Sequence, residues 1–429
     1  MFILSNRSVH ILEPQSGRIQ SFALPPIESI IPPWQNKSIV IDSKGSIYFS
    51  NQYNDLLRFS ETKGINVLAK WPKEIALRSL LIDRSDVLWV GTNKDGIRKY
   101  NLRADMFQAI PYQHDFYTDL FVRELGIPAS QVPVEAKKAL PYFFRYTIDK
   151  ARKLWFNMGN RRFYQLDLQT KQVTSIAVPA TIQLRRAWDK PIAPMATDPE
   201  GHVWIVTDSL AMWYENDRWQ PFQHPLRANN PASTSRLRIS PYRTIEGEIL
   251  QAVVDKQALW LATDTKGLYR VDRRNGQISS YKYDSKNPAS LSSNQLFCLF
   301  DDPLDQTILW VGTFGSGLCR FDKRTGICRR FSTQTGLPNN VIYSAIPDQQ
   351  GFLWIGTNQG LCRMDRRSFQ TRTYTSEDGL LEDEFNRFHF LHLPNDLILM
   401  GGLDGIISFY PRQLKDDTYQ PPYKSPIFN

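Results

Sequence analysis

The stretch Gly351-Phe352-Leu353-Trp354-Ile355-Gly356-Thr357-Asn358-Gln359-Gly360-Leu361-Cys362-Arg363-Met364-Asp365 is written again, with small changes, along most of the chain. Ile308-Leu309-Trp310-Val311-Gly312-Thr313 with Gly317-Leu318-Cys319-Arg320-Phe321-Asp322 is one copy, and Val87-Leu88-Trp89-Val90-Gly91-Thr92 with Gly96-Ile97 is another. Leu353-Trp354-Ile355 is a short run of β-formers between turn residues, as expected of a strand covered on both faces. Gly356 to Gly360 turns the chain, and Leu361 to Met364 alternates as a second strand. Ile342 to Ile346 supplies an inner strand before the pair, and Phe369 to Tyr374 an outer one after it.

Equivalent tryptophans fall at 89, 155, 204, 260, 310 and 354, with weaker copies at Tyr48 and Leu399. A period of roughly 40 to 50 residues with four short strands per unit argues for an all-β fold, a β-propeller of four-stranded antiparallel blades. One blade cannot bury both faces alone, so the blades must stack around an axis and close. The blade formed by Phe388–Leu393, Leu397–Met400 and Ile406–Tyr410 lacks its fourth strand. Borrowing Gln20–Leu24 gives eight blades; borrowing Ile65–Lys70 gives seven as the alternative. On this reading residues 1–75 hold a degenerate N-terminal blade and closing strands, 76–411 the repeat blades, and 412–429 a linker.

Asp-x-x-Gly-x-Leu-Trp-Ile-Gly-Thr followed by Gly-Leu resembles the two-component regulator propeller repeat of the periplasmic sensor regions of Bacteroidetes-type hybrid histidine kinases. Lys286-Asn287-Pro288-Ala289-Ser290-Leu291, Thr335-Gly336-Leu337-Pro338-Asn339-Asn340 and Asp378-Gly379-Leu380 to Asn386 carry the same resemblance. It implies a sensor domain outside the cytoplasm, a small β-sandwich following the C-terminal linker, and self-association in the full-length sensor. No secretory leader is visible in Met1 to Arg7, and no run of about 18 apolar residues is present to span a membrane.

The formal charge of +9 admits an acidic partner. Its basic residues recur in turns such as Asp272-Arg273-Arg274, Asp322-Lys323-Arg324 and Asp365-Arg366-Arg367, which read as solvated surface, and no nucleic-acid motif accompanies them. Asp83, Asp149, Asp198, Asp255, Asp302 and Asp348 recur at one place in the repeat, which marks turn formers accepting hydrogen bonds from following amides rather than catalytic acids. The six histidines and four cysteines show no metal-ligand spacing, so no metal, cofactor or catalytic residue is expected. Cys319 and Cys328, on neighbouring strands, remain open between a bridge and two buried thiols.

Three connections break the repeat: Pro111–Tyr142, with two helical stretches; the segment holding Arg185-Arg186-Ala187-Trp188; and the arginine-rich His224–Glu248. The candidate contacts are Arg161, Arg185, Arg186, Trp188, Asp264, Phe314, Asn358, Asn386, Arg387 and Asp404, all placed on the face holding the strand-two-to-three loops. Aromatic rings and guanidinium groups suit stacking and hydrogen bonding to a small solute such as an oligosaccharide. The alternatives are a protein-interaction scaffold without a small ligand and, third, a propeller hydrolase or lyase.

Overall fold

The structure is a computed structural model, described at residues 2–4, 8–12, 18–23, 38–50, 55–60, 64–69, 74–83, 86–102, 107–112, 116–133, 145–157, 162–177, 186–187, 190–191, 194–206, 211–222 and 245–414. Its contacts separate two compact units, one formed mainly by residues 1–105 and one by 106–414 apart from 377–379.

The first unit holds three antiparallel sheets. Phe2–Leu4, Ser8–Leu12 and Ile19–Ala23 make one; Ile39–Ile41, Ile47–Ser50, Leu56–Ser60 and Gly64–Ala69 the next; Leu77–Ile82, Val87–Thr92 and Ile97–Asn101 the third.

Among the described residues the second unit holds six four-stranded sheets, besides the short pair Arg186–Ala187 with Lys190–Pro191. Blade one begins at Arg145–Ile148, blade two at Met195–Thr197, blade three at Ile249–Val254, blade four at Leu296–Asp301, blade five at Ile342–Pro347 and blade six at Phe385–His392. These first strands pack side by side in that order, and the first strand of blade six returns to that of blade one, so the ring is closed. In blade six, Ile398–Gly402 and Gly405–Phe409 follow in sequence, and the fourth strand is Gln108–Pro111, whose Ala109 pairs with Ile407 and Ile110 with Ile406.

Closure by Gln108–Pro111 corrects the expectation of a ring of eight or seven blades: among the described residues the ring of the second unit has six. Ile19–Ala23 and Gly64–Ala69, which overlap the two strands expected to close it, pair within the first unit. The physical reason is registry. Phe107 buries beside Tyr374, Ile407 and Phe409, and Ile110 beside Leu399 and Ile406, so the segment covers the free edge of blade six.

The repeated residues have definite roles. Trp204, Trp260, Trp310 and Trp354 are almost completely buried, whereas Trp89 in the first unit is partly exposed. In each case one oxygen of the preceding aspartate accepts backbone N–H groups across the strand-one-to-two turn, as Asp198 does from His202 and Asp348 from Phe352, both at 2.8 Å. The other oxygen accepts the indole N–H: Asp83 from Trp89, Asp149 from Trp155, Asp198 from Trp204, Asp255 from Trp260, Asp302 from Trp310 and Asp348 from Trp354, at 2.7 to 2.9 Å. The carboxylate thus ties a turn to a core side chain. Gly360, at φ +98°, closes the next turn where a Cβ would strike the Tyr374 carbonyl.

The basic turns are not simply solvated. Arg273 of blade three reaches Asp198 of blade two at 3.1 Å, Lys323 of blade four reaches Asp255 of blade three at 3.2 Å, and Arg366 of blade five reaches Asp302 of blade four at 2.6 Å. The first basic residue after the aspartate in each turn therefore links its blade to the one before, while the second, as in Arg324, stays exposed. Burial raises the Asp198 carboxyl, but hydrogen bonds from Trp204 and His202 outweigh it and hold the group below the usual carboxylate range. Burial likewise opposes, and the Gln257 amide, Trp260 and Lys323 overcome, the shift at Asp255. Carboxyls depressed on folding contribute stability that is present above their unfolded pKa, about 4, and lost as pH falls through the folded values. Tryptophan fluorescence should accordingly report stability that is flat from pH 7 to about 5 and falls below about 4.

All four cysteines are buried free thiols. Cys319 lies opposite Arg330, and Cys328 opposite Phe321. The hydrogen bond from Cys328, and those from the Ser292 N–H and hydroxyl, lower the Cys319 thiol against its burial, while Cys328 is raised by donating to it. Burial pushes Cys298 and Cys362 up to about 12. Ellman's reagent at pH 8 should therefore find no thiol in the native chain and all four after unfolding.

Candidate functional site

Each blade offers two ends. Strand-two-to-three loops and blade-to-blade connections lie at one, here the loop end; strand-one-to-two turns lie at the other, the turn end. Asp264, Phe314, Asn358 and Asp404 follow the second strands of blades three, four, five and six, so the fold brings these four candidates to the loop end, one per blade. Asn386 is half-buried in the first strand of blade six. Arg387 lies in the same strand, and Arg186 in a two-residue strand paired with Lys190–Pro191. The side chains of Arg186 and Arg387, and all of Arg161, Arg185 and Trp188, lie outside the described residues, as do 223–244 with their arginines.

The loop-end candidates differ in what holds them. Asp264 accepts the Glu248 N–H at 2.9 Å and the Thr265 hydroxyl at 3.1 Å, which makes it a tie for the incoming connection. Asp404 is exposed, and its carbonyl accepts the Tyr112 N–H at 2.8 Å. Phe314 stands out: it is 48% exposed, and its ring lies 4.8 Å from that of Phe297. Phe297 in turn stacks on Tyr343 of blade five at 5.7 Å, with 18° between the planes. On blade five, Asn358 Oδ1 is shielded from solvent and accepts no hydrogen bond among the described residues. Three aromatic rings with one open face suit a planar apolar ligand surface.

Sequence reasoning missed Phe297 and Tyr343. Both sit in first strands, where alternation assigns them to packing; only the neighbouring blade reveals that they underlie Phe314. The long connection resolves differently. Phe116, Leu120, Phe121, Leu125, Ile127 and Val132 bury against Leu154, Phe156, Leu391 and Leu399, so its described part packs onto blades one and six. Its second expected helical stretch falls largely in 134–144, outside the described residues.

A cavity of about 500 Å³ lies at the turn end, walled by the ends of all six first strands. The loop-end candidates do not line it. The six repeated aspartates offer no acid–base pair, since each is occupied by its indole and turn amides. His202 is held by Asp198 at 3.1 Å and His392 by Asp396 at 2.9 Å. Among the described residues no group of histidine, cysteine and carboxylate side chains is arranged to hold a metal ion, and no helix is long and apolar enough to cross a membrane.

A closed ring of repeat blades with a shaped loop end defines a β-propeller. Residues 336–359, which lead into blade five and form its first two strands, match the family model of the two component regulator propeller. A histidine kinase, P4, of Formosa agariphila is 23% identical over 350 residues, covering 80% of this chain and 23% of that protein. The chain thus spans about a quarter of the length of that relative. The extracellular domain of a putative hybrid two component system from B. thetaiotaomicron superposes with a TM-score of 0.46 at 15% identity, covering 98% of this chain and 57% of that one. Virginiamycin B lyase from Staphylococcus aureus gives 0.43 at 13%, covering 87% and 93%.

Proposed function

We propose that this chain is the ligand-sensing propeller of a two-component signalling protein, working outside the cytoplasm as a binding module rather than an enzyme. Its ligand is a small solute, an oligosaccharide, held at the loop end. The observation that carries the reading is the exposed Phe314 ring of blade four backed by Phe297 of the same blade and by Tyr343 of blade five, which lies within the matched repeat. A pyranose presents an apolar face for such a ring. The binding-module reading is supported by the repeated carboxylates, which are tied into the fold. Signalling follows if the sugar binds two arrangements of the full-length, self-associating sensor with different affinity.

Thermal unfolding of the chain against a panel of neutral and acidic oligosaccharides tests this. A cognate sugar at 100 times its dissociation constant should add about 2.7 kcal/mol, and Phe314→Ala should abolish that gain without lowering the midpoint of the unliganded chain. A chain stabilised by no sugar is a protein scaffold; a sugar cleaved during the assay, detected by mass spectrometry, makes it an enzyme. Either result overturns the proposal.

A further inference from the structure

The cavity at the turn end is lined by aromatic rings. Phe300 of blade four and Phe390 of blade six are not neighbours in the ring, yet their rings meet with centroids 4.9 Å apart beside Ile346 of blade five, and both line the cavity. Tyr146 of blade one meets Phe390 edge-on at 6.0 Å. All three rings are half-buried, leaving aromatic surface on the wall of a cup whose volume of about 500 Å³ suits a small ligand.

The charge around this cup is one-sided. Asp301, Asp348 and His392 line it, His392 being held by Asp396 at 2.9 Å, and no lysine or arginine does. Asp348 is fully engaged by the Phe352 amide and the Trp354 indole. Asp301 is not. Lys323 Nζ lies 2.6 Å from one of its oxygens but is shared with Asp255 at 3.2 Å, so one ammonium serves two carboxylates. Burial pushes the Asp301 carboxyl up in spite of Lys323. Ring faces with a negative quadrupole and an under-compensated carboxylate both attract a cation and disfavour an anion. A neutral sugar would satisfy the rings and leave the charge unanswered.

We propose that the turn-end cup is a binding site for a small organic cation, an alkylated ammonium whose methyl groups rest on Phe300 and Phe390 while its charge faces Asp301. This site goes beyond the sensing proposal and lies at the opposite end of the ring from Phe314. Either can fail without the other.

Choline and tetramethylammonium, titrated calorimetrically into the full chain at low salt, test the site, with proton NMR following their N-methyl resonances. Saturable binding is expected, with an upfield ring-current shift of the N-methyl signal. Affinity should fall at least about tenfold in Asp301→Asn and in Phe390→Leu, survive in Asp301→Glu, and be untouched in Phe314→Ala. Absence of saturable heat up to about 10 mM, unchanged affinity in Asp301→Asn, or glucose or maltose binding in place of choline would each overturn the proposal. Should Asp301→Asn not fold, the ring-current shift in the unaltered chain and its loss in Phe390→Leu decide the matter.

Discussion

A chain that starts at residue 106 is expected to fold into the six-bladed ring, and a chain that starts at residue 112 is not. The six residues between them include Gln108–Pro111, the fourth strand of blade six, which pairs with Gly405–Ser408. Without them that blade keeps three strands, and Tyr374, Ile407 and Phe409 lose the cover of Phe107. Burial of Phe107 and Ile110 contributes about 1.5–3 kcal/mol each, and each ladder hydrogen bond about 0.5–1.5 kcal/mol. The sum, on the order of 5 kcal/mol or more, is comparable with the whole stability of an ordinary domain. Circular dichroism and guanidinium unfolding of the two truncations give the answer. If both fold with equal midpoints, Gln108–Pro111 does not close the ring.

The second large effect is expected at Asp302. One of its oxygens accepts the Trp310 indole at 2.9 Å; the other accepts the Leu304 amide at 2.9 Å and pairs with Arg366 of the next blade at 2.6 Å. Both charged side chains of that pair are buried, at 6% and 5% exposed. Asp302→Ala leaves a buried guanidinium without its carboxylate and an indole N–H without its acceptor, a loss of about 3–5 kcal/mol. Asp322→Ala is the control, because that carboxylate bonds the amides of its own turn and an exposed Arg324. Its cost should stay near about 1 kcal/mol. Combining Asp302→Ala with Arg366→Met should recover part of the loss, since the orphaned charge is then gone. Urea midpoints of the three variants measure this, and equal losses at Asp302 and Asp322 would show that the clamp carries no special weight.

Reading the chain as a repeat placed most strands and identified the recurrent aspartates as structural. It missed their second function, although the signal was present: Asp149 and Trp155, Asp198 and Trp204, and Asp348 and Trp354 are all six residues apart. That spacing carries the carboxylate around the turn to the indole, and a search for pairs rather than for single residues would have found it. The linking role of Arg273, Lys323 and Arg366 was harder to read. Each follows an aspartate in an outer turn, where exposure is the reasonable expectation, and only the packing of the next blade buries it.

The number of blades was beyond local pattern altogether. Every candidate closing strand alternates acceptably, so propensity does not choose among Ile19–Ala23, Gly64–Ala69 and Gln108–Pro111. The choice depends on which edge each can reach and cover. The site divides in the same way: Phe314 and Asn358 break the repeat and so announced themselves, while Phe297, Tyr343, Phe300 and Phe390 hide within regular strands. Local chemistry alone determined the four-stranded unit, because strand periodicity, turn residues and the buried tryptophan act over fewer than about 50 residues. Tertiary structure decided closure at six blades and the two contrasting ends of the ring, because both depend on side chains from different blades meeting around an axis.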